Sequence, residues 1–296
     1  KKPYKNILNI LITGASSALG KYFIEESLKE FPNAKILALF SSTRLTLNDE
    51  RVEWLQYNLK KDIFNRNEFF NIVIHAASAV PKRVMNSSDF FNINCKGSLL
   101  LFQNINFDHS ASILNISSTS VYDDPSSLIL TESSLKTNKD LYGVSKLKFE
   151  YMLSDELKEK NISILTCRIP VLLSKNVKNN FIAGWLLDIS QNNQLTLFNP
   201  DGLFNACITD EDIFKFFISF RENYKKKNLI CNVSSNSPIS IYELAKYVIA
   251  YAGEKIRINM QDSSQPAQLI SNQLAQEHGF NPKSVKGSIK LFLEKK

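Results

Sequence analysis

The sequence predicts an α/β protein built on a doubly wound parallel sheet, and three observations carry that prediction. Short apolar runs alternate with helix-length stretches from Asn6–Ile12 to Ile162–Arg168. A glycine-containing turn, Thr13–Gly20, separates the first apolar run from a predicted helix. Small and serine-rich segments end several later runs, and in a parallel sheet these ends share the edge where ligands bind.

Composition sets the class of protein. The chain has 296 residues, enough for one large domain or two closely associated ones, and it is 44% hydrophobic, enough for a full core. We expect no membrane span, because no apolar run approaches ~20 residues. We expect no signal peptide, because Lys1 and Lys2 are followed by an alternating strand pattern rather than by an apolar block and a cleavage site. Four scattered cysteines and three histidines favour buried thiols in a reducing cytoplasm over a metal site. The charge of +7 is thinly spread, which favours a solvated surface over a nucleic-acid-binding face.

The first strand, turn and helix are predicted over Asn6–Ile12, Thr13–Gly20 and Lys21–Phe31. Glycine lets the backbone approach a pyrophosphate, and a helix N-terminus supplies N–H groups and a positive dipole. Ser17 occupies the middle small position and can donate to a phosphate. A plain strand–helix turn is the alternative. We predict a Rossmann-type dinucleotide site with contacts from Gly14, Ser16, Ser17, Ala18, Leu19 and Gly20.

The second predicted strand, Ile36–Phe40, is followed by Ser41, Ser42, Thr43 and Arg44. An NAD site usually has an acidic residue here for the ribose 2′-hydroxyl. Two hydroxyls and an arginine suit a 2′-phosphate instead. We therefore predict that NADP(H) is preferred, with contacts from Ser41 and Arg44, and that NAD(H) is possible. The alternative is that Arg44 is an ordinary exposed loop residue.

The third, fourth and fifth strands are predicted over Val52–Leu59, Ile72–Ser78 and Ser112–Ser118, with a helix over Phe90–Gln103. His75 is expected to pack at a strand end rather than to act in catalysis. The ends of the third and fourth strands add predicted contacts to adenine and to the rest of the dinucleotide from Asn58, Leu59, Ala76, Ala77 and Ser78.

A predicted helix from Tyr142 to about Lys160 begins with the sequence YGVSK. Tyr142 and Lys146, four residues apart, lie on one helix face. An ammonium beside a phenol favours the phenolate, so the tyrosine can transfer a proton near neutral pH. This spacing alone also fits a packed ring and a solvated lysine. The glycine-containing turn and the serine-rich strand end favour the catalytic interpretation.

The remaining elements complete the strand–helix alternation. A sixth strand, Ile162–Arg168, precedes Pro170, which we also predict to contact the cofactor. Later elements are predicted as helices over 181–192, 210–223, 238–253 and 271–278, a helix at the C-terminus, and strands over 204–208, 229–233 and 256–260. We predict a Rossmann-type domain over 1–173 plus 206–235, and a small C-terminal α/β substrate lobe over 174–205 plus 236–296.

These motifs resemble, over essentially the whole chain, the extended short-chain dehydrogenase/reductase family and its NAD-dependent epimerase/dehydratase branch, which acts on nucleotide sugars. The resemblance rests on TGASSALG, HAAS, Asn94 with Gly97, SSTSVY and YGVSK. It implies that Tyr142 exchanges a proton with the substrate oxygen and that Ser118 hydrogen-bonds that oxygen. Lys146 would lower the tyrosine pKa and hold the nicotinamide ribose.

The sequence also departs from the family pattern. Thr119 and Ser120 stand where the dehydratases carry an Asp–Glu pair, so a 4,6-dehydratase is disfavoured. No Cys, His or Glu pair for carbanion chemistry is evident in the sequence. An arginine often found for the substrate diphosphate is replaced by Asn205. Alternative anchors for the diphosphate are Lys82, Arg83, Lys175 and Lys178.

Three functions remain open on the sequence. The first is NADP(H)-dependent reduction of a 4-keto nucleotide sugar. The second is a nucleotide-sugar 4-epimerase with bound NAD. The third is a catalytically silent cofactor-sensing protein. The resemblance also implies a homodimer, with helices near Phe90–Gln103 and Tyr142–Leu157 forming a four-helix interface. A monomer whose helices cover the sheet is the alternative.

Overall fold

The computed structural model describes residues 7–81, 86–177, 180–253, 256–263 and 267–294. The chain divides into two compact units. The first comprises Lys1–Val121, Lys136–Arg168 and Phe217–Cys231. The second comprises Tyr122–Leu135, Ile169–Phe216 and Asn232–Lys296.

The strands and helices follow one another in a strand–helix rhythm. The strands are β1 (Asn9–Thr13), β2 (Lys35–Phe40), β3 (Val52–Gln56), β4 (Phe69–His75), β5 (Asn106–Ser118), β6 (Ile129–Leu130), β7 (Ser163–Ile169), β8 (Val171–Leu173), β9 (Gln194–Phe198), β10 (Leu203–Phe204), β11 (Cys207–Thr209), β12 (Asn228–Asn232), β13 (Ile239–Ser240), β14 (Arg257–Gln261) and β15 (Leu269–Ile270). The helices are α1 (Ala18–Glu30), α2 (Ser88–Phe91), α3 (Ser98–Gln103), α4 (Leu141–Leu157), α5 (Phe181–Asn192), α6 (Asp210–Asn223), α7 (Ile241–Ala252), α8 (Gln273–Glu277) and α9 (Val285–Glu294).

The first unit is built around a seven-stranded sheet with the order β12-β7-β5-β4-β1-β2-β3. The pairs β1–β2, β1–β4, β2–β3 and β4–β5 are parallel. Ile10, Leu11 and Ile12 of β1 are fully buried, as expected of a parallel strand covered on both faces. The strand order reverses at β1 and β4, which is where doubly wound sheets bind ligands. The predicted fold class is confirmed.

Helix α4 covers the sheet in the first unit. Its residues Phe149, Leu153 and Leu157 join a buried cluster with Val73 of β4 and Ile113 of β5. Burial of these apolar side chains is the main contribution that fixes the helix against the sheet.

The predicted helix over 90–103 is interrupted. A π-helical turn, Asn92–Gly97, lies between α2 and α3. A Cβ atom at Gly97 would lie 2.0 Å from the Leu59 carbonyl oxygen, so only glycine permits this approach. The hydrophobic periodicity of the sequence could not reveal this π turn, because one wider turn hardly changes the spacing of apolar residues. Such turns are frequent at functional sites.

The second unit has its own small sheets and core. Strands β8 and β11, β9 and β14, and β6 and β15 form parallel pairs, and β10 pairs antiparallel with β13. Side chains of α5, α7 and α9 form a buried cluster that includes Ile182, Leu244, Val248, Ile289 and Phe292.

Several predicted boundaries are corrected. The third strand ends at Gln56, which leaves Asn58 and Leu59 in a turn, and the helix that begins with YGVSK ends at Leu157. The predicted return strand over 204–208 is divided into β10 and β11. The predicted first strand begins at Asn6, which lies outside the described residues. None of the helices within the described ranges is long and apolar enough to cross a membrane.

Candidate active site

The carboxyl ends of β1, β2 and β4 enclose a cavity of about 400 Å³ in the first unit. The predicted dinucleotide contacts that line it are Gly14, Ser16, Ser17, Ser41, Asn58, Leu59, Ala76, Ala77 and Ser78. Thr13, Ser42, Asp89 and Ile93 are among the other lining residues. Four predicted groups of contacts, separated in sequence, therefore meet around one cavity.

The turn after β1 has the backbone geometry that a pyrophosphate site needs. Gly14 has φ +65°, and a Cβ atom there would lie 2.7 Å from the Ala77 nitrogen. A Cβ atom at Gly20 would lie 2.2 Å from the Gly14 oxygen. Both positions therefore require glycine. The start of α1 therefore packs closely against a turn that has no side chain at position 14. A glycine turn beside a helix N-terminus fits the pyrophosphate of a bound dinucleotide.

Ser17 has a structural role that the sequence did not indicate. Its Oγ accepts the Gly20 N–H at 3.0 Å and caps α1. The hydroxyl proton remains able to donate to a phosphate. Ser16 Oγ donates to the Thr43 carbonyl, which links the turn to the loop after β2. Ala18, Leu19 and Gly20 form the first turn of α1.

The end of β2 carries hydroxyl groups at the cavity. Ser41 and Ser42 line it, and Gln56 Nε2 donates to the Ser41 carbonyl at 3.1 Å. Arg44 is exposed, and its guanidinium lies 5.9 Å from the centre of the Trp54 ring. This stacking is the arrangement of an exposed loop arginine. Contact between Arg44 and a cofactor stays a prediction.

His75 is a neutral ring within a chain of hydrogen bonds. Ser98 Oγ donates to the Ile93 carbonyl at 2.9 Å, so it accepts from His75 Nε2–H at 3.1 Å. His75 Nδ1 therefore accepts from Thr13 Oγ1, 2.9 Å away, and Thr13 Oγ1 accepts the Ala77 N–H at 3.1 Å. Burial, assisted by the charge of Lys146, lowers the His75 pKa to about 3. The ring packs at the strand end, as expected from the sequence.

The Tyr142 ring lies 5.9 Å from the Phe90 ring, measured between centroids, and the hydroxyls of Ser118 and Ser78 act to lower the pKa of its phenol. Ser118 Oγ accepts the Ser120 N–H at 3.1 Å, so its own proton can be donated to the phenol oxygen. A Cβ atom at Gly143 would lie 2.0 Å from the Ser120 oxygen. Glycine at this position therefore allows α4 to approach the segment that follows β5.

The net pKa of Tyr142 is raised, whereas the sequence predicts a phenol whose pKa is lowered. Burial disfavours the phenolate, and the polar hydroxyls of Ser118 and Ser78 offset this only in part. The tyrosine is therefore a protonated phenol at neutral pH.

Lys146 is 4% exposed. Burial lowers its pKa to about 8, while the charge of Glu150 acts in the opposite direction. The side chain is therefore mainly an ammonium at neutral pH.

Pro170 lies between β7 and β8 in the second unit, and its contact with a cofactor stays a prediction.

Asn94, on the π-helical turn, joins the end of β4 to α4. Its Oδ1 accepts the Ala79 N–H at 2.7 Å and the Ser78 hydroxyl at 3.1 Å. Its Nδ2 donates to the Ala79 carbonyl at 3.1 Å and to Ser145 Oγ at 2.9 Å. Asn94 thereby fixes Ser78 at the cavity and joins it to α4. The sequence indicated Asn94 only by its spacing from Gly97, and contact between Ser78 and a cofactor stays a prediction.

The side chain of Asn205 is hydrogen-bonded to the backbone of the second unit. Its Nδ2 donates to the Ile270 carbonyl at 2.8 Å, and its Oδ1 accepts the Ile270 N–H at 2.9 Å. These bonds hold β15 beside the break between β10 and β11. Of the alternative diphosphate anchors, Lys175 is exposed. The other three, Lys82, Arg83 and Lys178, lie outside the described residues.

The chain matches the model of the NAD-dependent epimerase/dehydratase family over residues 10–204. No curated protein matches it significantly in sequence.

Solved structures of similar fold include three sugar-nucleotide epimerases. UDP-N-acetylglucosamine 4-epimerase from Methanobrevibacter ruminantium, in complex with UDP-N-acetylmuramic acid, is 18% identical with a TM-score of 0.78, covering 98% of this chain and 100% of that one. UDP-glucuronic acid 4-epimerase from Bacillus cereus, in complex with NAD, is 17% identical with a TM-score of 0.76, covering 97% and 96%. ADP-L-glycero-D-manno-heptose-6-epimerase from Helicobacter pylori is 15% identical with a TM-score of 0.77, covering 99% and 98%. At these identities the likeness is one of fold.

Proposed function

The chain belongs to the NAD-dependent epimerase/dehydratase family, and on this premise we propose that it is an NAD(P)-dependent oxidoreductase of a nucleotide-diphosphate sugar. One observation carries the proposal. The Tyr142 ring lies 5.9 Å from the Phe90 ring, measured between centroids, and Asp89, next to Phe90 in the chain, lines the cavity at the end of β1 and β4 together with Ser78. A proton-transferring group thus lies beside a cavity that fits a dinucleotide.

Tyr142, Ser118 and Lys146 each have a separate role in the proposed hydride and proton transfer. When bound, the nicotinamide supplies or accepts a hydride. Tyr142 gives a proton to the sugar oxygen, or takes one from it, and Ser118 donates a hydrogen bond to the same oxygen. Lys146, one helical turn from Tyr142, stabilises the phenolate while the proton is away.

The first candidate reaction is reduction of a 4-keto sugar with NADPH. A raised pKa keeps Tyr142 protonated, which suits the proton donor of a reduction. The hydroxyls of Ser41 and Ser42 at the end of β2 support a 2′-phosphate, because this end of the cavity carries hydroxyls where NAD sites usually have a carboxylate.

The second candidate is a 4-epimerase that retains NAD. It is supported by the similarity in fold, over 97% or more of this chain, to two 4-epimerases, one of them in complex with NAD. The same Tyr142, Ser118 and Lys146 would serve, since the proton is removed and then returned to one oxygen.

The test is the identity of the dinucleotide. The purified protein is denatured, and any released dinucleotide is identified by mass and absorbance. A protein that is empty, binds NADPH well above NADH and oxidises NADPH with a 4-keto-6-deoxy nucleotide sugar supports the reductase. Stoichiometric NAD⁺, with interconversion of 4-epimers, supports the epimerase. Absence of hydride transfer with either set of substrates contradicts the oxidoreductase proposal.

We also propose that the protein is a cytoplasmic homodimer, and that the predicted substrate lobe, 174–205 plus 236–296, binds the sugar. The four cysteines are buried thiols, which suits a reducing compartment. The helices predicted to form the interface expose apolar side chains at Leu100, Leu141 and Tyr151. Light scattering at micromolar concentration measures the assembly, and a monomeric mass would remove the dimer.

A further inference from the structure

Glu150 is a fully buried carboxylate one helical turn after Lys146 on α4. Arg168 of β7 binds it through Nη2, 2.7 Å from Oε2, and through Nε, 3.1 and 3.2 Å from the two oxygens. Ser117 Oγ of β5 also donates to Oε1. The carboxylate is thus bound by donors from two strands, and Ser117 immediately precedes Ser118.

The groups around Lys146 differ in charge at neutral pH. His75 at the end of β4 is neutral, because its pKa is lowered to about 3. Burial raises the pKa of Cys95 on the π-helical turn and that of Tyr142 on α4, so both are uncharged. The Glu150 carboxylate has the largest effect that opposes the burial of Lys146. Arg168, the other charged group of the cluster, is bound directly to Glu150.

We propose that Glu150 is a positioning residue, which holds Lys146 as an ammonium and fixes α4 against the strand that carries Ser118. The catalytic consequence rests on the proposed function, whereas the protonation of Lys146 can be measured without any substrate. Through Lys146 the buried carboxylate acts on Tyr142 without contacting substrate or cofactor.

If Glu150 had only a structural role, the result of replacing it would be different. Buried ion pairs contribute little net stability, and uncharged, well-packed residues of similar volume often replace them without loss. Glu150→Gln alone removes the carboxylate that balances the buried charge of Arg168, so it is expected to destabilise the fold. Combining Glu150→Gln with Arg168→Met removes both charges and approximately keeps the volume of the two side chains. If the ion pair served only the fold, this double variant would behave as the wild type.

The experiment is a pH titration of lysine in the full-length protein labelled with ¹³C at the lysine ε-carbon. The Lys146 signal is identified by its loss in Lys146→Arg. We expect a wild-type midpoint of about 8. In both Glu150→Gln and the double variant the midpoint falls by ~1 unit, because an opposite charge near the ammonium has been removed. Glu156→Gln, on the same helix with a side chain bonded to Gln103 on the surface, should leave the midpoint unchanged.

The thermal unfolding temperature is recorded for each variant. A double variant with wild-type stability and an unshifted Lys146 midpoint overturns the proposal, and a shifted midpoint in this stable variant supports it. If Glu150→Gln does not fold, the double variant decides the question. Where turnover is measurable, the alkaline limb of kcat should move with the midpoint. A protein that turns over no nucleotide sugar but shows the shift contradicts the proposed function alone.

Discussion

Replacing Asn94 with alanine tests how strongly the π-helical turn holds the active-site residues. Asn94 is 2% exposed and bonds to the Ala79 N–H, the Ala79 carbonyl and Ser145 Oγ at 2.7, 3.1 and 2.9 Å. Each buried hydrogen bond contributes about 1 kcal/mol, and a polar group left without a partner costs more. Asn94→Ala should therefore lower the free energy of unfolding of the first unit by about 3–5 kcal/mol.

The measurement is urea unfolding followed by the fluorescence of Trp54, in a background where Trp185 is replaced by phenylalanine. The chain has two tryptophans, so the signal then reports the first unit. Asn94→Ala should move the midpoint without changing the slope of the transition.

Two controls separate the hydrogen bonds from loss of side-chain volume. Asn94→Asp keeps the bond from the Ala79 N–H, but it cannot donate to the Ala79 carbonyl or to Ser145, so at least ~2 kcal/mol should be lost. Asn104→Ala removes an amide that donates to Leu100 at the exposed end of α3, and it should change stability by less than ~0.5 kcal/mol. An Asn94→Asp protein as stable as the wild type would refute the reasoning.

Three further predictions concern the chemistry of the site. Tyr142→Phe should lower turnover roughly 10²–10⁴-fold while dinucleotide affinity is retained, and a fully active variant in the steady-state assay would contradict the assignment of the proton donor. Ser41→Asp should reduce the NADPH/NADH affinity ratio at least ~10-fold in titrations of each dinucleotide, because a carboxylate repels a 2′-phosphate, and an unchanged ratio counts against the predicted phosphate contact. His75 takes up protons mainly in the unfolded chain between pH 6.5 and about 3, so stability should fall as pH falls through this range. Urea midpoints at several pH values measure that slope, and His109→Gln, at an exposed side chain, should leave it unchanged.

Local patterns were enough to predict the turn and helix at the cavity. Glycine at 14 and 20 and the apolar run of β1 specify a strand, a turn and a helix regardless of the rest of the chain. The split between β10 and β11 was not predictable in the same way. It depends on Asn205 bonding to Ile270, a contact between residues far apart in sequence.

The chemistry of the candidate site was predicted in part. The spacing of Tyr142 and Lys146 specifies a shared helix face, but the direction of a pKa shift depends on burial, which is a tertiary property. The sequence did not indicate that Glu150 is buried beside Lys146, since an acidic residue four positions after a lysine is common on exposed helices. Its significance comes from Arg168, which a separate strand supplies.

The hydrogen bonds through His75 have a direction that cannot be reversed. A backbone N–H begins the chain at Ala77 and a backbone carbonyl ends it at Ile93, so each hydroxyl and ring nitrogen between them has one allowed orientation. At position 75, only a side chain that accepts towards Thr13 and donates towards Ser98 satisfies both neighbours. A carboxylate, which only accepts, would leave the Ser98 side without a donor. The wall of the cavity is thus held in one arrangement of protons as well as of heavy atoms.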